Sequence, residues 1–181
     1  ISSNTGPEVD HTTGTGSGKY LFIETSSPCD GQIYEVNLHS PVLDVNTLTT
    51  PAVTFWYHLL GDSIGELHVD ALDASGNVLQ LEITPPVVGE QGDQWIRTPV
   101  IDLTGFQANN QVIVRIRAVH LAQGIGFEGD QAIDDFTFFD AVDPDAGIAS
   151  IDSPTGGCNL SNAETVTVTV ENQGLVAIAN V

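Results

Sequence analysis

Basic side chains are almost absent from this sequence of 181 residues. Lysine and arginine together occur four times against 24 acidic residues, so the formal charge is −20 at pH 7 with histidine neutral. A surface with so few cations cannot neutralise several phosphates at once. Nucleic acid and anionic lipid are therefore poor candidates as partners, whereas the acidity suits cation binding or solubility in a saline exterior.

Long apolar runs are absent as well. No stretch reaches the length of about 18 apolar residues that is typical of a transmembrane helix. The first residues also lack the basic-then-apolar order of a secretory signal. We therefore expect no membrane insertion, and we expect any export signal to have been removed or to lie outside this sequence.

Cysteine is scarce, with only Cys29 and Cys158, which stand far apart in turn-like contexts. Neither has another cysteine or a histidine at a spacing that would bind zinc. The pattern favours an extracellular origin. A bridge between the two, and bridges to cysteines outside this sequence, both remain open.

Helical periodicity is also missing, since no segment keeps a 3.6-residue period for three turns. Short segments with a period of two recur instead, separated by clusters of Gly, Pro, Asn and Asp. The predicted fold class is therefore all-β. In the strand predicted at 66–72, Leu67, Val69 and Ala71 should face a core, whereas Glu66, His68 and Asp70 should face water. The segment 112–118 alternates in the same way, and 53–59 is apolar on both faces, as in a central strand.

The pattern changes after residue 140. Residues 141–147 have no periodicity and place two aspartates around a proline, which is typical of a linker. Strand-like sequence resumes at 148–181 but is too short to close a sandwich alone. We predict a first domain at 1–140, a linker at 141–147 and the first strands of an immunoglobulin-like β-module at 148–181.

A glycine-rich stretch, GTGSGK at 14–19, has the composition of a phosphate-binding loop. The Walker pattern fails, because Thr13 and Tyr20 occupy the positions that need glycine and Ser or Thr. The stretch also precedes a predicted strand at 20–25, whereas a phosphate loop leads into a helix. We interpret it as a flexible turn entering a strand, with its glycines providing slack.

No catalytic motif is present. The five histidines show no HExxH spacing and no serine has a GxSxG context. His58 lies in a predicted central strand, where a packed and hydrogen-bonded role is the usual one. We therefore predict no catalytic residues.

One succession of motifs resembles the MAM domain, an extracellular module named for meprin, A5 and receptor phosphatase mu. The motifs, in order, are GP at 6–7, DHTTGTG at 10–16, YLFIE at 20–24, SP at 40–41, FWYHL at 55–59, GEL at 65–67, QW at 94–95 and AIDDF at 132–136. The resemblance implies a jelly-roll sandwich of two antiparallel sheets, used in adhesion and in the association of secreted proteases, often with a structural cation. The chain departs from the family in lacking the strand that usually precedes Gly-Pro, which leaves an open edge or a place for another segment. It also lacks the cysteine that usually precedes the FWYH-type strand.

The cofactor that we expect is a structural calcium ion. Alternation along 132–138 places Asp134 on the same face as Phe136 and Phe138, and a buried carboxylate needs a cation, a hydrogen-bond cluster or an arginine. By resemblance, Asp10 and Asp134 are the best calcium ligands, followed by Asp135 and Glu24. The alternative is a turn-capping Asp10 and a hydrogen-bonded Asp134.

These features predict a non-catalytic, secreted or cell-surface binding module whose partner is a protein or a glycan on a cell or matrix surface, beside neighbouring modules of the same chain. Carbohydrate binding is an alternative, with exposed Trp95 or Phe127 as weak candidates for sugar stacking. An accessory domain of a secreted metalloprotease is another. The acidic, lysine-poor composition resembles that of large surface proteins of bacteria.

Overall fold

The structure is a computed structural model that describes residues 5–27, 34–120, 126–156 and 163–178. It separates the chain into two compact units, one that ends at Phe139 and one that begins at Asp140. Both cysteines lie outside the described residues, so their pairing stays a prediction.

The described strands are β1 Leu21–Ile23, β2 Tyr34–His39, β3 Leu43–Asp44, β4 Pro51–Leu59, β5 Glu66–Leu72, β6 Val78–Gln80, β7 Val87–Val88, β8 Gly92–Arg97, β9 Ile101–Asp102, β10 Gln111–His120, β11 Gln131–Asp140, β12 Ala146–Ser153 and β13 Thr167–Asn172. Short 3-10 helices cover Thr104–Asn109 and Gly126–Glu128.

The first unit is a sandwich of two antiparallel sheets. The five-stranded sheet has the order β1-β11-β4-β8, with β9 also paired to β4. The six-stranded sheet has the order β2-β10-β5-β6, with β3 paired to β10 and β7 to β5. This arrangement confirms the predicted all-β jelly-roll fold.

The core lies between the sheets and is built from alternate residues of their central strands. On β10, Val112, Val114, Ile116 and Ala118 are all buried in it, as the sequence predicts. Leu67, Val69 and Ala71 of β5 join them, and β4 is an interior strand of its sheet. Burial of this apolar surface is the main favourable term in folding.

The outer face of β5 does not face water, which corrects the expectation for His68 and Asp70. Asp70 is completely buried, and its Oδ2 lies 2.7 Å from Nη2 of Arg115 and 3.0 Å from Nε of Arg117. The antiparallel register pairs Asp70 with Arg115 and His68 with Arg117. The long arginine side chains therefore cover the face that alternation alone assigns to solvent.

The expected orientation of Asp134 is also wrong. Ile133, Phe136 and Phe138 all pack against the core, an arrangement that an uninterrupted two-residue alternation cannot produce. The backbone at Asp135 has a φ of 50°, which shifts the phase of the strand between Ile133 and Phe136. Phe136 consequently stacks on Phe55 with ring centroids 6.5 Å apart. Asp134 lies on the opposite face, where its Oδ2 accepts a hydrogen bond from the backbone N–H of His11.

The second unit contains the antiparallel pair β12 and β13, with bulges in the register. Strand β12 begins at Ala146, within the segment predicted as a linker. Asp143, in the same segment, accepts a hydrogen bond from the backbone N–H of Val176 at 2.9 Å. The immunoglobulin-like character of 148–181 stays a prediction.

Candidate functional site

A loop at residues 5–20 covers the outer face of the five-stranded sheet. The imidazole of His11 stacks on Trp56 of β4, with centroids 3.7 Å apart and an interplanar angle of 18°. Trp95 of β8 donates its indole N–H to the carbonyl of Val9 at 3.0 Å. Tyr20 closes the end of the loop, because its hydroxyl donates to the carbonyl of Pro7 at 2.7 Å.

Asp10 organises this loop from within. Its buried carboxylate accepts bonds from the hydroxyl of Thr13 at 2.6 Å, the backbone N–H of Thr13 at 3.0 Å and the backbone N–H of Thr15 at 3.2 Å. The Thr13 hydroxyl, followed by the backbone donors, lowers the pKa of Asp10 despite the opposing effect of burial. Asp10 is thus an ionised hydrogen-bond acceptor at neutral pH.

Gly18 is required by the same arrangement. A Cβ atom at Gly18 would lie 1.9 Å from Cγ of Asp10, far inside van der Waals contact. The expectation that the loop glycines provide only slack is therefore wrong at this position. The loop is a closed, hydrogen-bonded structure rather than a loose turn.

Asp134 and Asp135 attach the loop to the sheet. The backbone N–H of His11 donates to Oδ2 of Asp134 at 2.9 Å, and the ring Nδ1 of His11 lies 2.6 Å from Oδ2 of Asp135. The hydroxyl of Thr12 donates to Oδ1 of Asp135 at 2.6 Å. His11 first, and then Thr12, lower the pKa of Asp135, which keeps this carboxylate charged.

Of the four predicted calcium ligands, three lie in this region and one lies elsewhere. Each carboxylate oxygen of Asp10, Asp134 and Asp135 accepts a hydrogen bond. A calcium ion shared by them has to add to these bonds or compete with them. Glu24 is exposed and accepts a bond from the backbone of Ser26 at 2.9 Å. Within the described ranges, no group of three or more His, Cys, Asp or Glu residues is arranged to hold a metal ion. Calcium stays a prediction.

A buried carboxylate that sequence reasoning missed lies at Asp130. Its Oδ1 accepts bonds from the N–H and the hydroxyl of Thr25, both at 2.9 Å, and its Oδ2 accepts one from the hydroxyl of Thr5 at 2.9 Å. These partners are 105 and 125 residues away in the sequence. No local pattern marks such a site, because its donors come from distant segments.

The two aromatic residues proposed for sugar stacking are not exposed platforms. Trp95 is half-buried, and its ring contacts Tyr20 and His58 edge-on, each at 5.6 Å. Phe127 is half-buried in the 3-10 helix at Gly126–Glu128. His58 is buried as expected, with Nε2 3.1 Å from Oδ1 of Asp93, and burial lowers its pKa although Asp93 opposes the shift.

An apolar cleft opens at one edge of the sandwich, between β1 of one sheet and β2 of the other. We call it the edge cleft, and its volume is about 200 Å³. Its lining residues are Leu21, Phe22, Ile23, Val36, Asn37, Leu38, Ile116, Ala118, Gln131 and Ile133. Leu21 and Phe22 at this edge are 58% and 45% exposed. Sequence reasoning missed the cleft because it forms between strands that are far apart in the chain.

Comparison with known proteins identifies the family. The model of the MAM domain, meprin/A5/mu, matches residues 1–142. The chain belongs to the MAM domain family. It is 31% identical over 170 residues to human MAM domain-containing glycosylphosphatidylinositol anchor protein 2, a match that covers 87% of this chain and 16% of that protein. It is 29% identical over 147 residues to zebrafish (Danio rerio) neuropilin-1a, covering 78% and 15%.

The MAM chain thus spans about a sixth of the length of these relatives. Among solved structures, the carbohydrate-binding module TmCBM61 in complex with β-1,4-galactotriose matches with a TM-score of 0.41 and 17% identity, covering 67% of this chain and 70% of that one. In the part of the MAM chain that the structure describes, no helix is long and apolar enough to span a membrane.

Proposed function

We propose that this MAM domain is a non-catalytic extracellular module that mediates protein association or adhesion at a cell surface. The observation that carries the proposal is the edge cleft, where large apolar side chains stay exposed on a chain that is otherwise strongly acidic. Exposed apolar surface of this kind is typical of protein interaction sites. Membership of the MAM family and relatives named as anchor proteins and neuropilins support the same reading.

A protein partner fits the observations better than a glycan. A sugar site needs exposed aromatic faces beside polar groups, whereas Trp95 is packed against the loop and its N–H is already bonded. The edge cleft offers mainly aliphatic side chains and an edge strand, which suit a peptide segment. Carbohydrate binding is therefore the alternative that a binding experiment has to distinguish from protein binding.

Beads coated with the purified domain test the proposal. We expect the beads to bind to cultured cells, and protease treatment of the cells to reduce this binding at least tenfold. Removal of cell-surface glycans should leave binding unchanged. Loss of binding after glycan removal alone would support the carbohydrate alternative. No binding of beads to any of a panel of cells would contradict an adhesive role.

The absence of catalysis is tested separately. The purified domain should hydrolyse neither peptide nor glycan substrates with calcium, zinc, magnesium or manganese present. One reproducible turnover that co-purifies with the domain would overturn this part of the proposal. A role as accessory domain of a secreted metalloprotease stays a prediction, and so does a bacterial source.

A structural calcium ion among Asp10, Asp134, Asp135 and Glu24 also stays a proposal. If it binds there, a chelator should lower the melting temperature, and Asp134→Ala should abolish that difference. Asp130→Asn is the comparison variant, because its buried carboxylate lies outside this group and is held by Thr5 and Thr25. If the chelator effect is lost in Asp130→Asn and kept in Asp134→Ala, the ion binds at Asp130 instead. Equal melting curves with and without chelator would exclude a structural calcium.

A further inference from the structure

We infer that the edge cleft receives one side chain of an extended protein segment, and that this side chain is an indole or phenol ring that donates a hydrogen bond to Gln131. The inference rests on the proposed function for the partner being a protein. The chemistry of the side chain follows from the cleft itself.

The walls of the cleft set the apolar part of the ligand. One wall carries Ile116 and Ala118 of β10 and the other carries Ile133 of β11. An engineered cavity of about 150 Å³ lined by Leu, Ile and Phe side chains in another protein is known to bind benzene. A volume of about 200 Å³ therefore accommodates a single aromatic side chain.

Gln131 sets the polar part. It lines the cleft and is only 2% exposed. Its Nε2 donates to the carbonyl of Val119 at 3.1 Å, which fixes the orientation of the amide because a carbonyl can only accept. Its Oε1 is buried and has no hydrogen-bond partner among the described residues. A buried acceptor without a donor is costly, so a ligand that brings one N–H or O–H into the cleft is favoured over a purely apolar one.

The edge strand indicates that this ring belongs to an extended segment. Strand β1 is the terminal strand of its sheet, and its described pairing joins Leu21–Ile23 to residues 131–133 of β11. The other side of such a strand presents backbone donors and acceptors to an added strand. Leu21 and Phe22 extend the apolar surface along the same edge.

Charge favours a different partner over a second copy of this chain. Each copy has a formal charge of −20, so two copies repel one another at low salt. Glu24, directly after β1, and Glu35 of β2 are both exposed, and Glu35 also lies 3.6 Å from Nη1 of Arg117. A segment with basic residues on either side of its aromatic ring is therefore the expected partner.

The first experiment compares indole with indene, which has nearly the same shape but no N–H. Titration is followed by NMR of the methyl groups of Ile116, Ala118 and Ile133. We expect both probes to shift these signals and indole to bind about fivefold more tightly, the ratio that one hydrogen bond supplies. Gln131→Met should remove that preference. Equal affinities in the wild type, or a preference that survives Gln131→Met, would overturn the assignment.

Two filling variants provide the control. Ala118→Leu should fill the cleft and abolish binding of both probes. If Ala118→Leu does not fold, Val36→Trp replaces it, because Val36 is exposed at the opening of the cleft. Val78→Trp, on an exposed position of the opposite edge strand β6, should leave binding unchanged. Probe binding that persists in the folded filling variants would place the ligand elsewhere.

The second experiment tests the source of the ring. The capped peptide Lys-Val-Trp-Val-Lys should bind more tightly than free indole and should also shift the backbone amides of Leu21 and Phe22. The matched peptide Lys-Val-Leu-Val-Lys should bind at least fivefold more weakly. Binding of indole without binding of the peptide would overturn the protein-segment part of the inference. Bead adhesion that persists when neither probe nor peptide binds would leave the proposed function standing without this site.

Discussion

The two outer faces of the sandwich bury their carboxylates by different means. On the six-stranded sheet, Asp70 lies against the guanidinium groups of Arg115 and Arg117. On the five-stranded sheet, Asp10 is buried with the neutral donors of Thr13 and Thr15. The chain has only four basic residues, and two of them serve one carboxylate. The comparison shows that hydrogen bonds from hydroxyl and backbone groups replace counter-charges where a sequence has few cations.

Neither outer face, as described, offers an obvious place for a partner. The loop covers the aromatic residues of one face, and the arginines cover β5 on the other. The edge cleft differs from both, because its side chains are apolar, partly exposed and next to a terminal strand. The proposed binding surface is therefore at the edge of the sandwich rather than on a sheet face.

The largest effect is expected at Asp70. Asp70→Asn should lower the free energy of unfolding by about 3 kcal/mol, because two largely buried arginines lose the carboxylate that lies against them, and Arg117 keeps only the more distant Glu35, 3.6 Å from its Nη1. Asp62→Asn, at an exposed aspartate, should change it by less than about 0.5 kcal/mol. Chemical denaturation at pH 7 measures both. Equal effects would show that the Asp70 pair contributes no more than an ordinary surface charge.

The dependence of stability on acidic pH should reveal the same interaction of Asp70 with the two arginines. Burial raises the pKa of Asp70, but Arg117, the N–H of Glu82 and Arg115 outweigh it, so the pKa is lower than usual. The stability from this charge is present above the unfolded pKa of about 3.9 and is lost as the pH falls through the folded value. Asp70→Asn should therefore show a weaker dependence of stability on pH below about 4.

The outer face of the five-stranded sheet, which the loop at residues 5–20 covers, is tested at Gly18. Gly18→Ala should lower the free energy of unfolding by about 2 kcal/mol, because the new methyl group overlaps the buried carboxylate of Asp10. Gly16→Ala is the matched control in the same loop, where the nearest atom to the added Cβ lies at 3.8 Å. Similar denaturation curves for the two variants would contradict the closed structure of the loop.

A smaller effect on this face is expected from His58. Burial lowers the pKa of His58, so the folded state favours its neutral form. Its contribution to stability is present above the unfolded pKa of about 6.5 and declines as the pH falls through that value. The stability of His58→Gln should consequently fall less than that of the wild type between pH 7 and pH 5. Parallel pH profiles would show that His58 does not contribute.

Alternation predicted the core-facing residues of β5 and β10 because successive side chains of a regular strand point to opposite faces of the sheet. It did not predict the burial of Asp70, whose partners come from a strand 45 and 47 residues further along the chain. It also failed at Asp134, because the φ of 50° at Asp135 shifts the strand by one position. The need for glycine at position 18 depends on the fold of the whole loop around Asp10, which composition cannot reveal.

The smallest effect on stability is expected at the edge cleft. The double variant Leu21→Ser/Phe22→Ser should change the free energy of unfolding by no more than about 1 kcal/mol, because both side chains are largely exposed. Thermal and chemical denaturation check this expectation. A much larger loss would show that the two residues are part of the folding core rather than a surface for a partner.

Adhesion by this double variant tests the central claim most directly. Val78→Ser/Leu81→Ser is the matched control, since Val78 and Leu81 lie at the opposite edge and are 50% and 54% exposed, close to the 58% of Leu21 and 45% of Phe22. Beads coated with the cleft variant should lose at least nine-tenths of their binding, whereas beads with the control variant should bind like the wild type. Full binding by the cleft variant, or equal loss in both, would contradict the claim that this MAM domain binds its partner through the edge cleft.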